Sequence, residues 1–193
     1  MSDEFKFPIV MNQSRTIHRS GDEDFLSRLL EGICIAELIS PSSEIWLFAA
    51  WITDFPLLDN SFGIANGIVA DWPNQMIRLT QWLRTLAESG TRLYIETNTD
   101  EKNDVFERSI REMMLTFPPG RINFRRQAKL HTKGLIGDTF CLSGSFNFTK
   151  NGILILDEHG RYDVDVESVS RMRIEVRNRW NSRIEGEEAP VAS

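Results

Sequence analysis

The sequence predicts an α/β domain, a mixed and mainly parallel β-sheet flanked by helices. Three observations carry that expectation. Apolar residues recur at helical spacing in separate segments, continuous apolar runs of β-forming residues stand between them, and Pro or Gly closes most runs. At 193 residues and 22.2 kDa the chain suits one domain, taken as residues 1–184, with EGEEAPVAS (185–193) as a disordered tail.

Each element follows from its own pattern. Over 22–39, Phe25, Leu26, Leu29, Leu30 and Ile33 share a helical face and Pro41 ends it. EIWLFAAWI (44–52) is apolar throughout, as a strand covered on both faces must be. Residues 53–72 lack a period and hold Pro56, Gly63 and Gly67, so they read as a long loop, and loops of that length in a compact domain are often functional. From Pro73 to Ser89, Met76, Ile77, Leu79, Trp82, Leu83 and Leu86 mark a second helix stopped by Gly90. TRLYIET (91–97) is a strand. Thr99 or Asp100 caps a third helix that runs to about Leu115, where Pro118, Pro119 and Gly120 end it, and a strand follows at 121–126. LHTKGLIGD and TFCLSGS are two short strands joined at Gly137-Asp138, and ILILD (153–157) is a further strand-like run.

Composition excludes several classes. No apolar run approaches the ~18 residues of a membrane span, and MSDEFKFPIV lacks the basic start and apolar middle of a secretory signal, so a cytoplasmic protein is expected. Cys34 and Cys141 lie in apolar patterns, as small buried hydrophobes do, so neither a disulfide nor a metal site is expected. The net charge is -6, yet residues 121–150 hold six basic residues (Arg121, Arg125, Arg126, Lys129, Lys133, Lys150) against Asp138 alone. That is a local +5 against -11 for the rest, a basic island in an acidic chain.

The island contains the most informative stretch, HTKGLIGDTFCLSGSFN (131–147). Side chains two apart on a strand share a face, so His131 and Lys133 project together, with Ser145 and Asn147 in the turn after the second strand. Lysine brings charge without a lone pair, and Ser and Asn bring hydrogen bonds. The set suits an oxygen-rich anion better than a metal.

His131-x-Lys133, four residues, Asp138, and then Gly144-Ser145-x-Asn147 resembles the HxKxxxxD...GSxN signature of the phospholipase D superfamily over about seventeen residues. The resemblance implies the αβα sandwich of that family. It also implies phosphodiester chemistry without metal or cofactor, in which one imidazole attacks phosphorus to form a phosphohistidine and a second protonates the leaving oxygen. Carried over, His131 is nucleophile or acid, Lys133 and Asn147 hold phosphate oxygens, Ser145 and Gly144 complete that cradle, and Asp138 supports the constellation. A downstream glutamate that fixes the histidine tautomer falls on Glu158 ahead of its neighbour Asp157. With one copy of the motif, the resemblance to the short bacterial members implies a homodimer that shares one site.

Arg125, Arg126, Lys129 and Lys150 would then track a nucleic-acid backbone, DNA ahead of RNA. Phe146 and Phe148, and likewise Trp51 and Trp72, have burial as the commoner fate than base stacking. FAAWITDF (48–55), NFTKNGI (147–153) and DEH (157–159) look like short bacterial phospholipase D-like proteins that accompany DNA-modification and restriction systems, which implies partner proteins. Two alternatives stand beside the nuclease: a non-catalytic DNA-binding subunit of a modification or defence complex, and a phospholipid hydrolase. No membrane partner is expected.

Overall fold

The computed structural model describes residues 14–18, 25–154 and 159–187. Its elements are β1 (Ser14–His18), α1 (Phe25–Ile39), β2 (Glu44–Phe48), β3 (Pro56–Asp59), β4 (Met76–Arg78), α2 (Leu79–Glu88), β5 (Arg92–Thr97), α3 (Asp104–Met114), β6 (Ile122–Arg126), β7 (Gly134–Ile136), β8 (Cys141–Gly144), α4 (Lys150–Leu154), β9 (His159–Asp163) and α5 (Val166–Glu187). Seven strands form one sheet in the order β1-β9-β8-β7-β2-β5-β6. The sheet is mixed, as expected, and among the described residues its parallel strand pairs are β2-β5 and β5-β6. The motif strands return by tight hairpins, so the pairs from β2 across to β1 are antiparallel.

The central strand β2 divides the core. Ile45, Leu47 and Ala49 face the layer of α1, α2 and α3, and Trp46 and Phe48 face α5, which is why EIWLF is apolar at every position. On the α5 side Trp46 stacks on Tyr94 at 4.0 Å and 6°, and Trp180 meets both rings edge-on. Buried carboxylates sit beside these rings and guanidinium groups answer them. Glu44 takes Arg177 of α5 at 2.5 Å and Arg92 at 2.6 Å, and Glu96 takes Arg125 at 3.0 Å and Arg179 at 3.7 Å. Each carboxylate also has a partner on the sheet, so the α5 guanidinium groups fix the position of the helix, whose packing rests on its narrow apolar stripe of Val169, Val176 and Trp180.

Four sequence expectations are corrected here. The long loop contains β3, which pairs with β4 just beyond it, and the connection is organised by buried Asn60, which accepts from the Ala65 amide at 2.8 Å and donates to Asn66 Oδ1 and to the Pro73 carbonyl. Met76 belongs to β4, and the second helix starts only at Leu79, where Asp54 accepts from the Thr80 amide at 2.9 Å. The run read as the strand ILILD begins inside α4, with residues 155–158 outside the described set. Helix α5 was not foreseen, and it runs through Glu187, three residues into the segment read as a tail. Residues 188–193 lie outside the described set. Among the described residues, no helix is long and apolar enough to cross a membrane.

Candidate active site

Strand direction gathers the motif at one edge of the sheet. β2, β5 and β6 run the same way, β7 runs against β2, and β8 runs against β7. The segment entering β7 (His131, Lys133), the exit of β8 (Gly144 to Asn147) and the exits of β2 and β5 (Trp51, Asp100) therefore meet where ligands bind in open α/β sheets.

His131 is solvent-exposed in the extended segment before β7, not within a strand, and Lys133 beside it is half-buried. The Lys133 ammonium donates to the His131 backbone carbonyl at 3.0 Å, and the Gly144 amide donates to the Lys133 carbonyl at 3.3 Å, so both halves of the motif are stitched together. Among the described residues no carboxylate pairs with Lys133. Gly134 follows because a side chain there would strike the Phe48 ring at 2.9 Å and the Leu142 carbonyl at 3.0 Å.

Beyond β8, Phe146 and Phe148 are buried in the core with their rings edge-to-face at 5.5 Å. They are anchors rather than base platforms. They leave Asn147 half-buried on the rim, where its Oδ1 accepts from the Trp51 amide at 3.1 Å. Thr53 N donates to the Phe148 carbonyl at 2.9 Å and fixes the same junction. Gly152 packs directly behind Asn147, since a Cβ there would lie 2.4 Å from the Asn147 carbonyl oxygen. Ser145 is exposed at the same edge.

Asp138 is elsewhere. It lies in the β7-β8 turn at the opposite edge, on the order of 15 Å along the strand from Lys133. Its carboxylate accepts from Ser43 N at 2.7 Å and Ser43 Oγ at 3.0 Å and pairs with Arg173 of α5 at 2.6 Å. Its amide donates to Ser42 Oγ, which in turn donates to buried Glu37 at 2.8 Å. Asp138 thus clamps the motif hairpin to the start of β2, at the edge opposite His131 and Lys133. Glu158 and Asp157 lie outside the described residues.

Two members of the basic island are also reassigned. Arg125 pairs with Glu96 across the β5-β6 ladder, donates to the Trp180 carbonyl at 2.7 Å and covers the Trp180 ring at 3.8 Å. Arg126 pairs with Asp104 at 2.6 Å and Glu107 at 2.5 Å of α3. Both guanidinium groups serve the fold. Lys129 and Lys150 are exposed. Burial lifts the Cys141 thiol to about 11, with the Asp163 charge adding to it, so this cysteine is no nucleophile at neutral pH. Among the described residues, no three His, Cys, Asp or Glu side chains gather as metal ligands would.

Residues that sequence reasoning did not place at the site are Trp51, Asp100 and Lys102. Trp51 donates its indole N–H to Asp100 at 3.1 Å, and the Lys102 ammonium lies 4.4 Å from the indole centroid. The Lys102 amide, and after it the Trp51 indole, hold the Asp100 carboxyl below its ordinary value. Trp51 lies in the FAAWITDF stretch, but nothing in the sequence joins it to Asp100 and Lys102; the signal common to the three is their place just past the ends of β2 and β5.

The fold is similar to that of solved phospholipase D-type structures. The phospholipase D family member Nuc from Salmonella typhimurium superposes with a TM-score of 0.56 at 16% identity, covering 88% of this chain and 94% of Nuc. NucT from Helicobacter pylori gives 0.53 at 15% identity over 86% of this chain and 94% of NucT. TrmBL2, described as an archaeal chromatin protein with a novel mode of DNA binding, gives 0.50 at 12% identity over 93% of this chain and 55% of its own. No protein-family model matches the sequence, and no curated protein matches it.

Proposed function

We propose that this protein is a metal-independent phosphodiesterase that cleaves nucleic acid, DNA ahead of RNA, through a phosphohistidine formed in a site shared by two copies of the chain. The observation that carries the reading is the meeting of exposed His131, Lys133 without a carboxylate partner among the described residues, and the Gly144-Ser145-Asn147 turn at one edge of the sheet.

The chemistry follows from these groups. The His131 imidazole attacks phosphorus, so an N–P bond forms as the ester P–O bond breaks, and the leaving oxygen takes a proton from His131 of the partner subunit. Water then attacks phosphorus, gives its proton to that second imidazole and breaks the N–P bond. Lys133 and the Asn147 amide N–H group offset the charge that builds on the equatorial oxygens. Glu158 is proposed to hold the other ring nitrogen of the nucleophile. The acidic surface outside the island suits contacts with partner proteins of a DNA-modification or defence system.

The test is cleavage of single- and double-stranded DNA in EDTA by the purified protein and by His131→Ala. Wild type should cleave, the variant should lose on the order of a thousandfold or more, and light scattering should give twice 22.2 kDa. The fold shared with TrmBL2 favours a second reading, a binding subunit. If both proteins bind DNA and neither cleaves it, that second reading replaces the first.

A further inference from the structure

Beside the motif lies a groove of about 510 Å³ that shares Asn147 with the proposed phosphoryl site and extends away from it. Its walls are Trp51, Lys102, Asn147, Thr149, Lys150 and Asn151. It opens directly from Asn147, whose side-chain oxygen is held by the backbone of Trp51, so anything in the groove sits next to a phosphate bound at the motif. The volume falls in the range of pockets that take a small ligand, and one wall is a half-buried indole fixed from its edge by Asp100.

The occupant follows from the chemistry of these walls. An indole face stacks a planar ring, the two ammonium groups attract anions, and amide and hydroxyl groups read the edge of a polar ring. Lys102 is exposed; its ammonium rests on the Trp51 face, within electrostatic reach of the Asp100 carboxylate that holds the indole edge. The exposed Lys102 side chain covers that face of the half-buried indole, and a base arriving there displaces the ammonium toward the phosphate it carries.

We infer that this groove binds one unpaired nucleotide next to the scissile phosphate, with its base stacked on Trp51 and its phosphate met by Lys102 and Lys150, and so selects single-stranded nucleic acid. In a duplex both base faces are covered, and only a base that has left the stack can lie on Trp51. The inference rests on the proposed phosphodiesterase reading for the position of the scissile group.

The experiment measures binding apart from cleavage. Full-length His131→Ala protein, which keeps the probe intact, is titrated by fluorescence anisotropy with a labelled oligothymidylate, an abasic strand of the same length and a duplex. The oligothymidylate should bind about 5- to 150-fold more tightly than the abasic strand, the range of one base stack, and more tightly than the duplex. Adding Trp51→Leu should bring that ratio close to one, and Trp51→Phe should restore part of it. Lys102→Ala should keep the ratio and flatten the dependence of log affinity on log salt by about 0.7, one phosphate contact on a single strand. A ratio that survives Trp51→Leu, a duplex preferred over the single strand, or an unchanged salt slope in Lys102→Ala overturns the inference. If the ratios hold while wild-type protein leaves DNA uncut, the phosphodiesterase reading fails and the nucleotide site stands.

Discussion

Asp138 offers the sharpest division between chemistry and architecture, because the motif resemblance groups it with His131 and Lys133 and the fold separates it from them. In Asp138→Ala, the Ser43 amide at 2.7 Å, the Ser43 hydroxyl at 3.0 Å and Arg173 at 2.6 Å all lose their acceptor. A hydrogen bond to a charged group is worth about 1.5 to 3 kcal/mol, but Asp138 is 31% exposed and Arg173 23%, so water and salt screen part of it. A total loss of about 2 to 4 kcal/mol follows. For a chain of this size that lowers the thermal midpoint by roughly 4 to 16 °C. The assay is urea and thermal unfolding by tryptophan fluorescence, wild type and variant at equal protein concentration because dimerisation adds to stability, with turnover measured well below both midpoints. Turnover there should stay within about threefold, since no group at the motif edge loses a partner. Unaltered stability with a hundredfold fall in turnover would refute the argument and return Asp138 to the reacting groups.

Two further outcomes follow from particular contacts. Gly152→Ala places a Cβ 2.4 Å from the Asn147 carbonyl oxygen, so the backbone carrying Asn147 must move; about 1 to 3 kcal/mol of stability and roughly tenfold or more in turnover should be lost, read by urea unfolding and steady-state kinetics on the same sample. Burial raises the pKa of Glu37 above its ordinary 4.5 against the opposing bonds from Ser42, so the folded state binds the proton more tightly than the unfolded chain. Its contribution is fully present below the unfolded value and is lost as pH rises through the folded one. The stability difference between wild type and Glu37→Gln should therefore shift against wild type as pH climbs above 4.5, and a difference that moves the other way or not at all across that window contradicts the assignment.

Much of the fold could be read from local pattern, and what escaped did so for physical reasons. The helices at 25–39 and 104–114 and the strands at 44–48 and 92–97 bury most of one face or both, so their periodicity is strong. Helix α5 buries Val169, Val176 and Trp180 in a field of arginines, and such a stripe reads as a solvated face until the carboxylates on β2 and β5 are known to lie beneath it. The apolar run after Lys150 has no period that separates a short strand from a short helix; packing of Gly152 against Asn147 accompanies the helix. The motif hairpin was legible because its residues are contiguous. The groove beside it was not, because Trp51, Lys102 and Asn147 come from three separate connections.

The same limit governs the basic island, and correcting it changes what the site can hold. A count of charge along the chain gives Arg125 and Arg126 to the substrate, but strand register sets Arg125 opposite Glu96, and α3 brings Asp104 and Glu107 against Arg126. Removing two charges from the presumed backbone track leaves Lys133, Lys129, Lys150 and, from outside the island, Lys102. Among the described residues these lysines, together with Arg179 donating to Thr132 at 3.2 Å, make a short footprint, enough on the proposed reading for the phosphate at the motif and a neighbour or two rather than for a full helical turn of duplex. If the proposed nuclease reading holds, affinity has to come largely from contacts other than long-range attraction, which gives the proposed stacking on Trp51 and contacts to partner proteins more weight than in a strongly basic nucleic-acid-binding protein.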